Sequence, residues 1–308
     1  MEAKRAAVVV AGSSNMDLVV RTSRMPSEGE TVLGSDFITV PGGKGANQAV
    51  AAARLGAQTC FIGKLGRDAF GEQLLAGLNA DGVDTAHVSF TDEAASGVAL
   101  IIVDDRGENT IVVTPGANAL LDARDVDAAR DVIASASVVA AQLEVPMETV
   151  EYLAACAVES GVPFILDPAP AREVGDRLLE MVDILTPNET EARMLTGLDV
   201  RDAPAARAAA LRLLDRGAGA VIITMGSGGF VLGTSEGVEF IDAIKVEAVD
   251  STAAGDVFAG ALAAGLARGG SLREAADLAN AAAALAVTKL GAQSSMPTLR
   301  AVKEFKDG

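Results

Sequence analysis

Five short strings in this chain combine residue types that can hold a polyhydroxyl compound and place a charged group upon it. The most informative is Val249-Asp250-Ser251-Thr252-Ala253-Ala254-Gly255-Asp256, which opens an Ala-rich helix. Small residues at a helix start leave backbone N–H groups free, and the helix dipole favours negative charge there. Ala253, Ala254 and Gly255 are therefore a candidate anion hole. Asp256 alone would be an ordinary helix-start residue. Beside an amide-rich anion site it becomes a candidate general base for a hydroxyl nucleophile.

Two strings offer groups to the hydroxyl compound. In Asn15-Met16-Asp17 the outer residues point to one side of an extended chain, where carboxylate and amide can meet several hydroxyls. An Asx turn at a strand end is an equal alternative. In Pro41-Gly42-Gly43-Lys44-Gly45-Ala46-Asn47-Gln48, ahead of a small-residue helix at Ala49–Leu55, the glycines allow close backbone approach while Lys44 and Asn47 supply donors. It is not a Walker A loop, because Gly45 follows the Gly-Lys pair where Ser or Thr is required.

Two further strings suit a nucleotide. Thr224-Met225-Gly226-Ser227-Gly228-Gly229 is a Gly-rich loop after a strand, a common feature with little specificity by itself. Asn188 and Glu191, in Thr186-Pro187-Asn188-Glu189-Thr190-Glu191, lie three apart on one helix face. They could hold the water shell of Mg²⁺, although spacing alone favours a capping box.

The elements that must position these strings follow from the pattern. Gln58–Ile62, Ser137–Ala141, Pro163–Leu166, Asp183–Leu185 and Ala220–Thr224 read as buried strands. Ala69–Ala80, Ala123–Ala134, Met147–Glu159, Ala203–Arg216 and Asp256–Ala267 read as helices between or after them. Such alternation predicts an α/β fold: a doubly wound, mostly parallel sheet flanked by helices. Residues 17–40 and the hairpin at 96–113 break the rhythm and read as antiparallel strands, a small β-sheet lid over the carboxyl ends of the core strands. The 308 residues are taken as one α/β domain carrying that lid.

Composition narrows the classes. A net charge of −17 opposes a broad grip on nucleic acid or anionic lipid, so neither is an expected partner. Half the residues are apolar, 3% are aromatic and Trp is absent, which suits close helix-on-sheet packing by Ala, Val, Leu and Ile. Cys60 and Cys156 read as buried free thiols, and with no signal-peptide layout at the N-terminus the cytoplasm is the expected address. The sole histidine, His87, is placed between elements, which removes Ser-His-Asp and His-metal schemes. Gly12-Ser13-Ser14-Asn15 after the first strand is not the turn of a dinucleotide-binding dehydrogenase.

Taken together, from about Val8 to Pro297, these strings resemble the ribokinase family of carbohydrate kinases. GGKGANQAVAA, DPAPARE at Asp167–Glu173, LTPNETEA around Asn188 and AVDSTAAGD carry the resemblance. It implies ATP-dependent phosphorylation of D-ribose at the 5-hydroxyl, with another sugar, a nucleoside or a non-catalytic sugar-binding regulator as alternatives. On that resemblance Asn15, Asp17, Gly43, Lys44 and Asn47, with Met16, Gly45 and Ala46 between them and Glu144 in AAQLEVP, hold the sugar. Asn188, Thr224–Gly229, Gly255 and Asn280 hold ATP, and Glu191 holds Mg²⁺ through water. Asp250, Thr252, Ala286, Lys289, Gly291 and Ser295 form a K⁺ loop. The family also implies a homodimer through the lid. Ser251-Thr252 and Asn280 depart from the commoner family residues, which are Thr with an apolar residue and His.

Overall fold

The computed structural model describes residues 8–307. A nine-stranded sheet forms its centre. It contains β1 (Val8–Ala11), β4 (Thr59–Gly66), β5 (Asp84–Thr91), β8 (Val138–Ala141), β9 (Phe164–Leu166), β10 (Ile184–Leu185), β11 (Ala220–Thr224), β12 (Phe230–Thr234) and β13 (Gly237–Ile241). The order is β13-β12-β11-β10-β9-β8-β1-β4-β5, parallel except for the β12 and β13 edge. A second, four-stranded sheet, ordered β3-β2-β6-β7, joins β2 (Asn15–Thr22), β3 (Gly34–Gly42), β6 (Gly97–Asp104) and β7 (Asn109–Thr114). Its outer pairs are antiparallel, and β2 runs parallel to β6.

The helices are α1 (Lys44–Arg54), α2 (Ala69–Ala80), α3 (Ala123–Asp127), α4 (Arg130–Ala134), α5 (Met147–Ser160), α6 (Asp176–Leu179), α7 (Glu189–Thr196) and α8 (Ala203–Asp215). They are followed by α9 (Ala254–Ala267), α10 (Leu272–Ala286) and α11 (Leu299–Asp307). Strand alternation decides which layer each residue feeds. Val9, Ala11, Cys60, Ile62 and Val139 pack with α3 to α8, whereas Val8, Val10, Phe61, Val138 and Ala140 pack with α1, α9 and α10. The second layer is drawn tight by small residues. A Cβ on Gly260 of α9 would lie 2.5 Å from the Gln48 carbonyl oxygen and 2.7 Å from Ala51 Cβ of α1. Among the described residues no helix is long and apolar enough to cross a membrane.

The expected α/β alternation, parallel sheet and small separate sheet are present. Local differences have physical causes. Helix α1 begins at Lys44, not Ala49, because Gly43 turns at φ 89° and starts it earlier. The glycine and asparagine of its first turn, poor helix formers, had disguised it as a loop. Residues 123–134 form two short helices, since Ala129 leaves helical geometry at φ −108°, ψ 8°. Helix α9 starts at Ala254, two residues before the expected Asp256. His87 lies within β5, not between elements.

Candidate active site

The chain leaves β1 toward β4 and β5 on one side of the sheet, and later leaves β8 toward β9, β10 and β11 on the other. The order therefore reverses between β1 and β8, and open α/β sheets bind ligands outside the carboxyl ends of strands at such a point. Asn15 follows β1, Glu144 follows β8, Asp167 follows β9 and Asn188 follows β10, so four polar residues converge there.

Asp256 is 5% exposed in the first turn of α9. Its Oδ2 accepts a 2.8 Å hydrogen bond from Asn47 Nδ2, whose own Oδ1 accepts from Gln293 Nε2 at 3.2 Å. Its Oδ1 is buried with no partner. Buried polar atoms are seldom left so, and an orphan acceptor in a cleft is what a general base must offer. Burial raises the Asp256 pKa, and Lys44 opposes that rise. Ahead of it, Ala253 adopts φ 59°, ψ 12°, the one left-handed non-glycine among the described residues. That conformation costs an L-residue roughly 1–2 kcal/mol. The Ala254 N–H turns to Ser251 O at 3.2 Å, which leaves the N–H groups of Gly255 and Asp256 at the helix start without an acceptor. A Cβ on Gly255 would meet nothing within 4 Å, so space lies open before those donors.

Lys44, at the first turn of α1, lines a cleft of about 180 Å³ together with Asp167, Asn188, Glu191, Gly255 and Asp256. Burial works against its charge, but Asp256, Asp167, Glu144 and Glu191 together raise its pKa and hold it protonated. It is a fixed cation between the base and the Asn188 end of the cleft. Asp167 is pushed up to about 8, chiefly by burial, with Lys44 opposing and Glu191 and Asp256 adding to the shift. Gln48 Nε2 donates to Asp167 Oδ2 at 2.7 Å, and Gln142 Nε2 donates to Gln48 Oε1 at 2.5 Å.

A cavity of about 390 Å³ lies on the other side, lined by Asn15, Val113, Asn118, Glu144 and Arg172 among others. Glu144 Oε2 accepts from Ser13 Oγ at 2.5 Å and from the Lys44 N–H at 3.2 Å. Asp17 is raised to about 7, mainly by burial, then by Glu144 and Asp256. Three carboxylates thus face common ground, a setting for a ligand with several hydroxyl donors. A Cβ on Gly42 would fall 2.3 Å from the Asp17 carboxylate, so any larger residue there would push that carboxylate aside. Other expected sugar residues serve packing. Met16 turns into a cluster with Leu65 and Leu74, as the period of two along β2 requires. Ala46 is core, and Gly45 lets α1 approach Gly12, with a Cβ–carbonyl carbon distance of only 2.7 Å.

The residues expected at a nucleotide border a cavity of about 640 Å³ that shares Asn188, Thr224 and Gly255 with the cleft and includes Gly226, Ser227, Gly229 and Asn280. Met225 does not line it, since its side chain packs against the core, and Gly228 is a turn residue. Gly229 is required by the backbone, because a Cβ would strike Ile241 O at 2.1 Å. Asn280 donates to Asp242 O at 3.0 Å. Asn188 and Glu191 do form the capping box, with both N–H donations at 2.8–2.9 Å, and both residues border the cleft.

The segments expected to form a cation loop meet. Asp250 Oδ1 accepts from Thr252 N at 2.9 Å and Oδ2 from Gly291 N at 2.8 Å, while Val249 and Asp250 both donate to Val287 O. Ala286 O accepts from Lys289 N, and Ser295 sits buried in the turn beyond Gly291. Among the described residues no three His, Cys, Asp or Glu side chains cluster as a metal cage.

Four polar residues of the site escaped sequence reasoning: Gln48, Asn118, Gln142 and Asp167. Gln48, Gln142 and Asp167 lie inside singled-out strings and Asn118 in a turn outside them; only the fold shows that the first three face one another and that Asn118 faces Asn15.

Known proteins share this architecture. Residues 5–299 match the family described as pfkB family carbohydrate kinase. The chain is 41% identical over 301 residues to the ribokinase of Haemophilus influenzae, covering 98% of each protein. It is 37% identical over 299 residues to the deoxyribokinase of Salmonella typhi, covering 97% of this chain and 98% of that one. The structure of Arabidopsis thaliana ribokinase complexed with ribose and ATP superposes with a TM-score of 0.90 at 32% identity, covering 98% of this chain and 99% of that one. Matched to the family over residues 5–299 and to its ribokinase relative over 98% of its length, the chain belongs to the pfkB family of carbohydrate kinases.

Proposed function

We propose that this protein is an ATP-dependent sugar kinase that converts D-ribose to D-ribose 5-phosphate. The observation that carries the reading is the orphan Oδ1 of Asp256, buried beside the free amides of α9 in the cleft lined by Lys44 and Asn188. In the reaction Asp256 Oδ1 accepts the proton of the sugar's 5-hydroxyl as that oxygen attacks the γ-phosphorus of ATP, and the bond from that phosphorus to the β,γ-bridging oxygen breaks to release ADP. Asn47 holds the carboxylate in place. Lys44 and the N–H groups at Gly255 and Asp256 face charge that develops on the transferred group, and phosphoryl transfer asks mainly for such positioning. Asn15, Asp17 and Glu144 hold the sugar, and the β2-β3-β6-β7 sheet closes over it and excludes water.

Two ions fit the residues present. Glu191, 5% exposed with its pKa raised by burial, stands near Lys44, Asp167 and Asp256 as one carboxylate beside a phosphate site. This suits Mg²⁺, which commonly keeps several waters and takes one or two carboxylates plus phosphate oxygens. Bound there, Mg²⁺ neutralises phosphate charge. K⁺ is assigned to the loop at Asp250–Thr252 with Ala286–Ser295, where Asp250 joins the two segments through the N–H groups of Thr252 and Gly291. One face of the small sheet exposes Phe37, Leu100 and Val112, each at least 50% accessible and brought together by the strand register, a face suited to a homodimer. Buried free Cys60 and Cys156 suit the reducing cytoplasm.

ADP release in the presence of a panel containing ribose, 2-deoxyribose, fructose and adenosine tests the reading. Highest kcat/KM with ribose supports it. A preference for 2-deoxyribose would move the assignment to the activity named for the Salmonella relative, and turnover of none of them would end it.

A further inference from the structure

We propose that Asn118 is a positioning residue that sets the side-chain amide of Asn15 with its N–H edge, not its carbonyl, toward the sugar. The inference rests on the sugar-kinase reading above. Asn118 lies in the turn that follows β7, is 1% exposed, and reaches across to the start of β2. Its amide orientation is decided by a group that has no choice. The Ser14 backbone N–H can only donate, and it donates to Asn118 Oδ1 at 2.9 Å. Asn118 Nδ2 is thereby left as the donor toward Asn15, whose Oδ1 accepts at 2.7 Å, with Ser14 O a second acceptor at 3.3 Å. Asn15 has no other freedom: with Oδ1 engaged, only Nδ2 is left, and it makes no hydrogen bond to the described residues. Asn15 lines the 390 Å³ cavity, so what it offers there is a donor. Glu144 lines the same cavity as an acceptor, and the Asn15 donor is its complement.

The pair is built in from a third side. A Cβ on Gly97, the first residue of β6, would fall 2.2 Å from both Asn118 Nδ2 and Asn15 Oδ1. Only glycine leaves room for the bond. Gly116 N-terminal to Asn118 sits at φ 52°, and Ala117 N donates to Ala95 O at 2.8 Å, which binds the exit of β7 to the entry of β6. Every strand that joins the small sheet to the core on this side thus passes the Asn15–Asn118 bond.

The experiment is a double-mutant cycle on ribose KM with Asn15→Ala and Asn118→Ala, supported by Asn118→Asp. Asn118→Asp keeps the acceptor for Ser14 N–H but removes the donor, so Asn15 must turn its Nδ2 inward and present oxygen to the sugar. Asn118→Asp and Asn118→Ala should each raise ribose KM about tenfold while ATP KM moves less than about twofold. With Asn15 already alanine, the change at 118 should add less than about twofold. Independent, multiplying effects, or a normally melting Asn118→Asp protein with native ribose KM, would overturn the proposal. A readout free of activity accompanies it: in the sugar-free native protein the side-chain amide protons of Asn118 should exchange slowly and those of Asn15 fast, and Asn118→Asp should slow those of Asn15. Fast exchange at both would sink the orientation even in an active enzyme. An enzyme inert toward every sugar would instead end the functional reading and leave the exchange data to judge this one.

Discussion

The two oxygens of Asp256 stand in unlike surroundings, one tied to Asn47 and one free, and that difference predicts how the site fails. Asp256→Asn keeps the shape and can still accept from Asn47, but its remaining atom donates where a base must accept. Turnover should fall by at least about a hundredfold with ribose KM nearly unchanged. A coupled ADP-release assay measures both, and near-normal turnover would remove Asp256 from the mechanism. Asp17 gives a pH signature. Sugar hydroxyls donate to an ionised carboxylate, and the free protein ionises Asp17 only around 7. Ribose KM should therefore fall as pH rises through about 7, and Asp17→Asn should raise KM and flatten the profile. For stability the sign is opposite. Because the folded pKa lies above the unfolded value of 3.8, the group's favourable contribution is complete below that value and is lost as pH rises toward 7. Asp256, Asp17 and Lys44 were legible in the sequence because their neighbours are unusual: small residues at a helix start, and a Lys inside a glycine turn. Asn118 was not, since an Asn in a turn is commonplace and its partner lies 103 residues away.

Helix ends carry much of the chemistry. At the start of α9, Gly255→Ala separates fold from function. The added Cβ meets no protein atom, and Ala is the better helix former by roughly 1 kcal/mol, so urea denaturation should show equal or greater stability. The same methyl intrudes where phosphate oxygens approach the amides, and turnover should drop about a hundredfold. Lower stability together with normal turnover would contradict the anion hole. The loops behind α9 make a second test. Asp250 joins Thr252 to Gly291, so an ion bound among their carbonyls would stiffen the segment that carries Ala253. K⁺ should raise turnover above the level in Na⁺ at matched ionic strength, and Asp250→Ala should erase the difference. Equal rates in K⁺, Na⁺ and a bulky organic cation would mean that no ion acts there. Periodicity reported the long strands and helices well, because burial of β1, β8 and β11 demands apolar runs. It failed at α1, whose first turn is Lys44-Gly45-Ala46-Asn47, and at Ala129, where no Gly or Pro announces the break. Both failures occur where local preference yields to a tertiary demand.

Across the molecule, the small sheet and the large one meet over the cavity that holds Asn15 and Glu144. If the apolar face of the small sheet pairs with a second copy, Val112→Glu should yield monomers in sedimentation and, by loosening the lid, raise ATP hydrolysis without sugar. A variant that sediments like the native protein would place the contact elsewhere. Beneath that lid, the bare backbone of Gly260 against Ala51 has a further meaning. Helix α1 carries Lys44 and Asn47, α9 carries Asp256, and the two touch with only the Ala51 methyl between them. The gap between the helices is consequently a gauge: it sets how far the cation and the base stand apart, to within the width of one methyl group. A reacting oxygen and phosphorus must approach to about 3–3.5 Å, and an error near 1 Å can slow reaction about a hundredfold. Gly260→Ala would act as a shim driven between the jaws of a caliper, leaving each working residue intact and the measurement between them wrong.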